Sequence, residues 1–439
     1  MSLPRYERYK ESGVEWLGEV PEHWGVKRIG YYFNERREKV SDKDYPALSV
    51  TKNGIVPQLD TAAKSDDGDN RKKVCKGDFV INSRSDRKGS SGSSDLEGSV
   101  SLICTVIRPQ EHVYTQFVHH LLRCQLFQEE FYRNGKGIVA DLWSTNYSEM
   151  RNILLGMPPL PEQHAIADFL DRETAKIDAL IAEQQRLIGL LAEKRQATIS
   201  HAVTKGLNPN ASMKDSGVEW LGEVPEHWEV KKLGYLLSES PKNGRSPEIT
   251  AAGVIPTFSI AAVKNGRASI QSHLKYTSID LQDAHPYFLK QFDILVLRGN
   301  GSKELVGTAG IVVDQPPENC IYPDILIRVR PNNSILPSHL VSCLNSSALR
   351  PQIQTAAQTA AGIWKISGRA LQGLRLPLPP LAEQNEIERH LQIISMSFDA
   401  LTAEAQRAIA LLQERRIALI SAAVTGKIDV RSLTEREAA

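Results

Sequence analysis

The sequence predicts a mixed α+β chain: two globular α/β domains joined by two long helices that pack as an antiparallel coiled coil, with an internal pseudo-two-fold duplication. Three observations carry this. The segment from Ser12 to Trp24 recurs unchanged, thirteen identities in a row, from Ser216 to Trp228. The hinge Pro158-Pro159-Leu160-Pro161-Glu162-Gln163 recurs as Pro379-Pro380-Leu381-Ala382-Glu383-Gln384. Behind each hinge lies a long proline-free run of Ala, Leu, Ile, Glu, Gln, Lys and Arg. Self-similarity of this kind marks a duplicated architecture and takes precedence over local assignments. With 439 residues, at roughly 100–200 residues per domain, two to four domains fit. Hydrophobic residues at 41% and charged residues at 24% are globular proportions and exclude a disordered or fibrous chain.

In chain order the sequence divides into an entry motif (1–24), a first variable domain (25–157), a central repeat helix (158–206), a linker with the repeated entry motif (207–228), a second variable domain (229–378), a C-terminal repeat helix (379–427) and a tail (428–439). In the entry motifs Trp16, Trp24, Trp220 and Trp228 are expected to fasten each domain to the helices. His23 and His227, each beside a Trp, are expected to be structural, since a packing motif has reason to recur and neither His has a second ligand nearby in sequence.

The variable domains read as α/β. Short β-rich runs at 77–81, 100–107, 293–297 and 325–330 are bounded by Gly, Pro and Asn, and 115–131 and 337–354 read as helices. Asp78 and Asp293 occupy matching places, each after a Lys and before aliphatics. In the repeat helices, Ile177, Leu180, Ile181, Leu187, Ile188 and Leu191 form one apolar stripe. Phe398, Leu401, Ala405, Ala408, Ile409, Leu412, Leu419 and Ile420 form its partner. Glu183, Arg186, Glu193, Glu404, Arg407 and Glu414 are left for solvent or a partner surface. About 40 residues of helix span about 60 Å. Gly206 and Gly426, with Lys205 and Lys427 beside them, are helix stops.

The formal charge is only +1, but its distribution is uneven. The first variable domain has 20 Lys/Arg against 17 Asp/Glu, and the second has 16 against 10. Positive charge concentrates in polar Gly/Ser-rich loops, which supply what duplex DNA requires: cations for phosphates, Arg and Asn for base edges, hydroxyls for positioning. The candidate DNA-binding residues are Arg71, Lys72, Lys73, Arg84, Arg87, Lys88 and Ser90 in the first domain. In the second they are Lys264, Asn265, Arg267, Arg298, Asn300 and Lys303.

Enzyme motifs are not found. None of the Pro-Pro sequences has the Asp or Asn before it and the aromatic after it that a DNA methyltransferase needs to hold a flipped base. Tyr322-Pro323-Asp324 is not completed by a Glu-x-Lys or Asp-x-Lys metal site. Gly135-Lys136-Gly137 lacks the rest of a phosphate-binding loop. His119 and His120, adjacent on a helix, cannot both face one ligand. The five cysteines, Cys75, Cys104, Cys124, Cys320 and Cys343, contain no Cys-x-x-Cys pair and are expected to be buried thiols in a reducing compartment. The N-terminal residues show no leader and no run is long enough for a membrane span, so a cytoplasmic protein with no membrane contact is expected.

The entry motif with its copy, the Pro-Pro-Leu-x-Glu-Gln hinges, and the helices ending in Ala-Val-Thr at Thr204 and Thr425 resemble the specificity subunit of type I restriction-modification systems. The resemblance covers nearly the whole chain. It implies that each variable domain is a target recognition domain reading one half of an asymmetric bipartite sequence in double-stranded DNA. It implies that the helices set the spacer and dock two methyltransferase (M) subunits, to which two restriction (R) subunits add. It implies no catalytic residues and no cofactor or metal in this chain, since S-adenosylmethionine, ATP and Mg serve the partners. The second hinge departs from the first by Ala382 in place of Pro161. The second unit also carries extra residues, for the hinges are 221 apart (379 − 158) and the entry motifs 204 apart (216 − 12). The alternative is a non-enzymatic coiled-coil adaptor whose end domains bind proteins rather than DNA.

Overall fold

Each hinge releases a long helix, Leu160–Lys205 and Leu381–Val424, of 46 and 44 residues, or about 69 and 66 Å at ~1.5 Å per residue. The computed structural model describes residues 3–60, 68–137, 143–250, 252–360 and 362–435, so the end of the tail lies outside it. Both helices stop where the sequence predicts. Gly206 and Gly426 take φ of 74° and 73°, left-handed values at which a Cβ is strained. A side chain at either glycine would also run into the entry motif, Trp228 for Gly206 and Pro21 with Trp24 for Gly426.

The chain forms two units, Met1–Gln185 with Gln406–Ala439, and Arg186–Ala405, so each unit owns part of both long helices. In the first, Arg416 makes a bidentate pair with Asp178 at 2.9 and 3.2 Å. In the second, Arg195 meets Asp399 at 2.6 Å. From one pair to the other the first helix advances 17 residues (195 − 178) and the second retreats 17 (416 − 399), which is antiparallel register. The seam is narrower than the apolar stripes. Ile177, Phe398 and Ala405 are buried, whereas Leu180, Leu187 and Leu401 are about half exposed. The expectation that all of these pack between the helices is corrected: two helices cover only a seam, and the flank of each stripe stays outside it.

In the first unit a four-stranded antiparallel sheet runs Ser91–Ser93, Phe79–Asn82, Cys104–Pro109, Phe33–Glu35. Phe79, Ile81 and Ile107 pack under Phe117, Leu121, Phe127 and Phe131 and the long-helix residues Ile166, Leu170 and Val424. Val80 and Val106 point the other way, onto Val74 and Val100. Burial on both faces is why the strands read as unbroken apolar runs rather than alternating ones. The second unit has a six-stranded sheet in which Ile294–Leu297 and Leu326–Val329 are paired interior strands. Ile294, Val296, Ile327 and Val329 pack on Leu340, Leu344, Ile353, Ala202, Val203, Ile387 and Leu391. No helix among the described residues is long and apolar enough to cross a membrane.

Three expectations change in detail. The strand predicted at 100–107 is two strands, Gly98–Val100 and Cys104–Pro109, because Cys104 N closes a turn onto Ser101 O. The helix at 115–131 is two helices, Thr115–Leu121 and Gln125–Arg133, broken where the Cys124 Sγ accepts from Phe127 N as an N-cap. The segment 337–354 divides likewise into Pro337–Asn345 and Arg350–Ala356, with Pro351 at the start of the second helix.

Asp78 and Asp293 hold equivalent positions, both almost completely buried at the head of a central strand. Each accepts a backbone N–H from three residues back, Cys75 or Lys290, at 2.8 Å. Each also takes a two-pronged guanidinium, Arg36 at 2.7 and 3.0 Å or Arg330 at 2.6 and 3.0 Å. Arg36 follows the edge strand Phe33–Glu35, whereas Arg330 follows the interior strand Leu326–Val329. Unrelated positions therefore converge on one requirement, neutralising a buried carboxylate. Asp78→Ala or Asp293→Ala takes the two-pronged partner from a largely buried guanidinium, leaving it only Glu38 at 4.0 Å or Glu239 at 3.1 Å, and should cost about 3 kcal/mol. Urea unfolding of each variant, read by the loss of that unit's structure, checks the value; a loss under about 1 kcal/mol contradicts the assignment.

Candidate nucleic-acid interface

The hinge residues Glu162 and Glu383 sit in the first turn of their helices, where a carboxylate is favoured by the helix dipole. Glu162 accepts from the Trp24 indole at 3.0 Å, the Tyr6 hydroxyl at 2.6 Å and the His23 ring at 2.7 Å. Glu383 accepts from Trp228 at 3.0 Å and His227 at 2.8 Å. The hydrogen bond to Glu162 and burial both raise the Tyr6 pKa, burial most, so its hydroxyl stays a donor. The neighbouring glutamines do the complementary task. Gln163 Oε1 accepts from Tyr114 N and Gln384 Oε1 from Leu336 N, both at 2.8 Å. Tyr114 and Leu336 each immediately precede a helix of the variable domain. One Glu-Gln pair thus ties the entry motif, the variable domain and the long helix together in each unit. The structural reading of both histidines holds. Trp24 and Trp228 are the buried anchors, whereas Trp220 is 40% exposed and Trp16 packs by its edge on Phe127.

The strands behind the clamped aspartates deliver the basic loops. Phe79–Asn82 leads to Arg84, Arg87 and Lys88, and Ile294–Leu297 leads to Arg298, Asn300 and Lys303. Each loop is fixed by the same rung from a later segment: Thr145 N donates to Ser83 O at 3.0 Å, and Ile366 N to Arg298 O at 2.8 Å. That segment carries Trp143 and Trp364, 221 residues apart (364 − 143) as the two hinges are. Trp143 donates to Tyr132 O at 2.8 Å, and the Lys303 ammonium lies 4.6 Å from the Trp364 ring centroid. The sequence shows both tryptophans in register but offers no sign that they brace the basic loops.

The candidate residues fall into two groups. Arg84, Arg87 and Lys88 are exposed, as are Lys264, Asn265 and Arg267. The last three form a tight hairpin in which Asn265 and Gly266 take φ of 52° and 76°, the pattern of a type I′ turn. Arg298 donates to Asp324 O, the Asn300 side chain accepts from Ser302 N, and Lys303 stacks as described. Arg71, Lys72 and Lys73 are on a strand, not in a loop. The buried Arg71 donates to Ser99 Oγ and O, Lys72 to Cys104 O, and Lys73 pairs with Glu38. Ser90 is buried at the loop's base, its carbonyl accepting from Asn82 N.

The two adjacent histidines diverge as expected. His120 meets Asp171 at 2.7 Å, while His119 faces donors from both sides, Ser93 N at its Nδ1 and Arg123 at its Nε2. Burial first, then the Arg123 charge, lowers the His119 pKa to about 3. Four of the five cysteines are buried free thiols, and Cys75 is half-buried instead. Burial pushes Cys104, Cys124 and Cys320 up to about 12, so these sulfurs are not nucleophiles.

Comparison with known proteins finds one consistent likeness. Residues 225–410 match the family model of the type I restriction modification DNA specificity domain. The EcoKI specificity subunit of Escherichia coli K12 is 27% identical over 364 residues, covering 81% of this chain and 76% of that protein. The MjaVIII specificity subunit of Methanocaldococcus jannaschii is 23% identical, covering 99% of both. Among solved structures, a chain from a type I R-M system, solved to explain complex assembly and conformational transition, aligns at a TM-score of 0.68 with 18% identity. That alignment covers 92% of this chain and 98% of the other. The HsdS subunit of Thermoanaerobacter tengcongensis aligns at 0.51 with 19% identity, covering 93% and 98%. Over most of its length the chain is similar to specificity subunits of type I restriction-modification systems.

The His119 environment makes a signed prediction. Its folded pKa lies below the unfolded value of about 6.5, so its contribution to stability is complete above that pH and is lost as the pH falls towards 3. The stability lost between pH 7 and pH 5, measured by urea midpoints, should shrink by roughly 2 kcal/mol in His119→Gln relative to the parent. An identical pH dependence in both proteins contradicts the assignment.

Proposed function

We propose that the chain is the sequence-reading subunit of a type I restriction-modification complex, each unit recognising one half of an asymmetric bipartite DNA target. The observation that carries this is the combination of duplicated anchors with unlike loops. The Glu-Gln ties, the clamped aspartates and the rungs at Ser83 and Arg298 recur, while the basic loops they hold differ in length and sequence. Repeated supports with divergent readers are what an asymmetric two-part target requires. Exposed Arg84, Arg87, Lys88, Lys264 and Arg267 serve phosphates and base edges. Arg71, Lys72, Lys73 and Ser90, spent on internal partners, serve the domain's own structure.

The long helices, each shared by both units, set the spacer and dock two methyltransferase subunits, to which two restriction subunits add. The exposed flank of the apolar stripes supports this: Leu180, Leu411 and Ile417 in the first unit, and Leu187, Leu190, Ile393, Met396 and Leu401 in the second. Apolar side chains left outside a two-helix seam and repeated along it mark a protein-binding face. The chain does no chemistry and holds no cofactor in this reading; S-adenosylmethionine, ATP and Mg serve the partners, and the complex works in the cytoplasm. The adaptor alternative gains nothing from the relatives named above, which are specificity subunits.

Co-expression with a cognate methyltransferase subunit, followed by single-molecule sequencing for modified adenines, tests the proposal. One bipartite motif with two unlike halves is expected. Replacing 229–378 with the corresponding domain of another specificity subunit should change one half-site alone. Removing about two turns from both helices, roughly seven residues each, should change the spacer and leave both half-sites intact. Altered half-site bases in the shortened protein contradict the role given to the helices.

A further inference from the structure

We propose that a recess in the first unit, bounded by Lys52, Lys88, Gly89, Arg123 and Gln128, seats a phosphodiester of the DNA backbone. The inference rests on the DNA-reading function above and assigns it a contact that the sequence does not reveal. The recess has a volume of about 340 Å³, and its boundary contains three cations and no carboxylate. Its floor is the Arg123 guanidinium. One Nη donates to Lys52 O and the other meets His119 Nε2, both uncharged partners. The Arg123 Nε is buried with no hydrogen-bond partner among the described residues. Gln128 Nε2 donates to the Arg123 carbonyl and so fixes its backbone.

Two contrasts with the other inward-facing arginines single Arg123 out. Arg36 and Arg330 rest on Asp78 and Asp293, and Arg328 rests on Glu239. Among the described residues Arg123 has no such carboxylate. Arg71 and Arg350 also rest on neutral acceptors alone, but of the three only Arg123 borders the recess with its two further cations. A largely desolvated guanidinium held only by neutral acceptors is costly unless an anion arrives to complete it. Lys52 and Lys88 stand exposed at the mouth. Lys88 belongs to the same loop as Arg84 and Arg87, so an anion in the recess lies beside residues already assigned to DNA. That continuity favours a backbone phosphate over a protein carboxylate. In the second unit, the position equally far past the domain helix's N-cap (345 − 336 against 123 − 114) is Asn345. Asn345 is neutral and exchanges hydrogen bonds with the Ala309 backbone. The phosphate seat is therefore a feature of one reading unit.

A seat for phosphate contributes affinity without sequence preference, and each lost cation reduces the salt slope of binding by about 0.9. The test uses the complex of this chain with its methyltransferase and fluorescence anisotropy on two duplexes, one with the methylated motif and one without, between about 50 and 200 mM salt. Lys52→Gln with Lys88→Gln replaces two exposed residues and leaves the Arg123 scaffold intact. The slope should fall by about two for both duplexes alike, with the ratio of affinities unchanged. Lys10→Gln, away from the recess, should leave the slope as it was. An unchanged slope in the double variant, or an equal fall per lysine in the Lys10 control, overturns the proposal while DNA binding itself stands. A parent complex whose binding is insensitive to salt and to sequence instead overturns the function on which the proposal rests.

Discussion

A carboxylate in the first turn of each long helix, receiving the indole N–H of a buried tryptophan, is the interaction on which the architecture depends. The indole is too large to leave in water and its N–H too polar to bury unpaired. Glu162 and Glu383 solve this where the helix dipole already favours negative charge. The glycine ending the other long helix completes the joint, since Trp24 lies against Gly426 and Trp228 against Gly206. The helix start, the helix end and the entry motif therefore meet at one tryptophan in each unit. The unit containing Trp24 adds Tyr6 and the bond from Asp429 N to Pro4 O, so the two ends of the chain are joined there.

From these joints the reading loops inherit their positions. Glutamine beside each glutamate holds the segment that opens the domain helices. Those helices cover the sheet, and the sheet's central strand begins at a neutralised aspartate and ends in a basic loop. Every step up to the loop is buried and hydrogen-bonded, and the loop itself is exposed. A scaffold of this kind tolerates change at the loop tip with little cost below it.

Much of this was legible in the sequence because the duplication was. Thirteen repeated residues and a repeated hinge located the helices to within a few residues at each end, and the glycine stops held. The two Asp positions were visible too, but their arginines were not. Arg36 and Arg330 reach them from different strands, a convergence that no alignment of the two halves could display. Charge density misled at Arg71-Lys72-Lys73, because three consecutive cations look like a solvated patch until a strand turns them onto Ser99, Cys104 and Glu38. It was silent at Arg123, a lone arginine in a helical stretch, whose environment exists only once Lys52 is brought beside it. The apolar stripes showed that the helices pair but not how much of each stripe the pairing covers, since that depends on the geometry of the seam.

Hydrogen–deuterium exchange of Glu162→Ala in the full-length chain tests the central claim most directly. Loss of the carboxylate should release the first joint alone: protection falls across 3–24 and 425–430, the two segments that Trp24 and Tyr6 bring together, while 213–228 and the second domain keep theirs. Unchanged protection at the first joint, or an even loss across both units, would contradict the account.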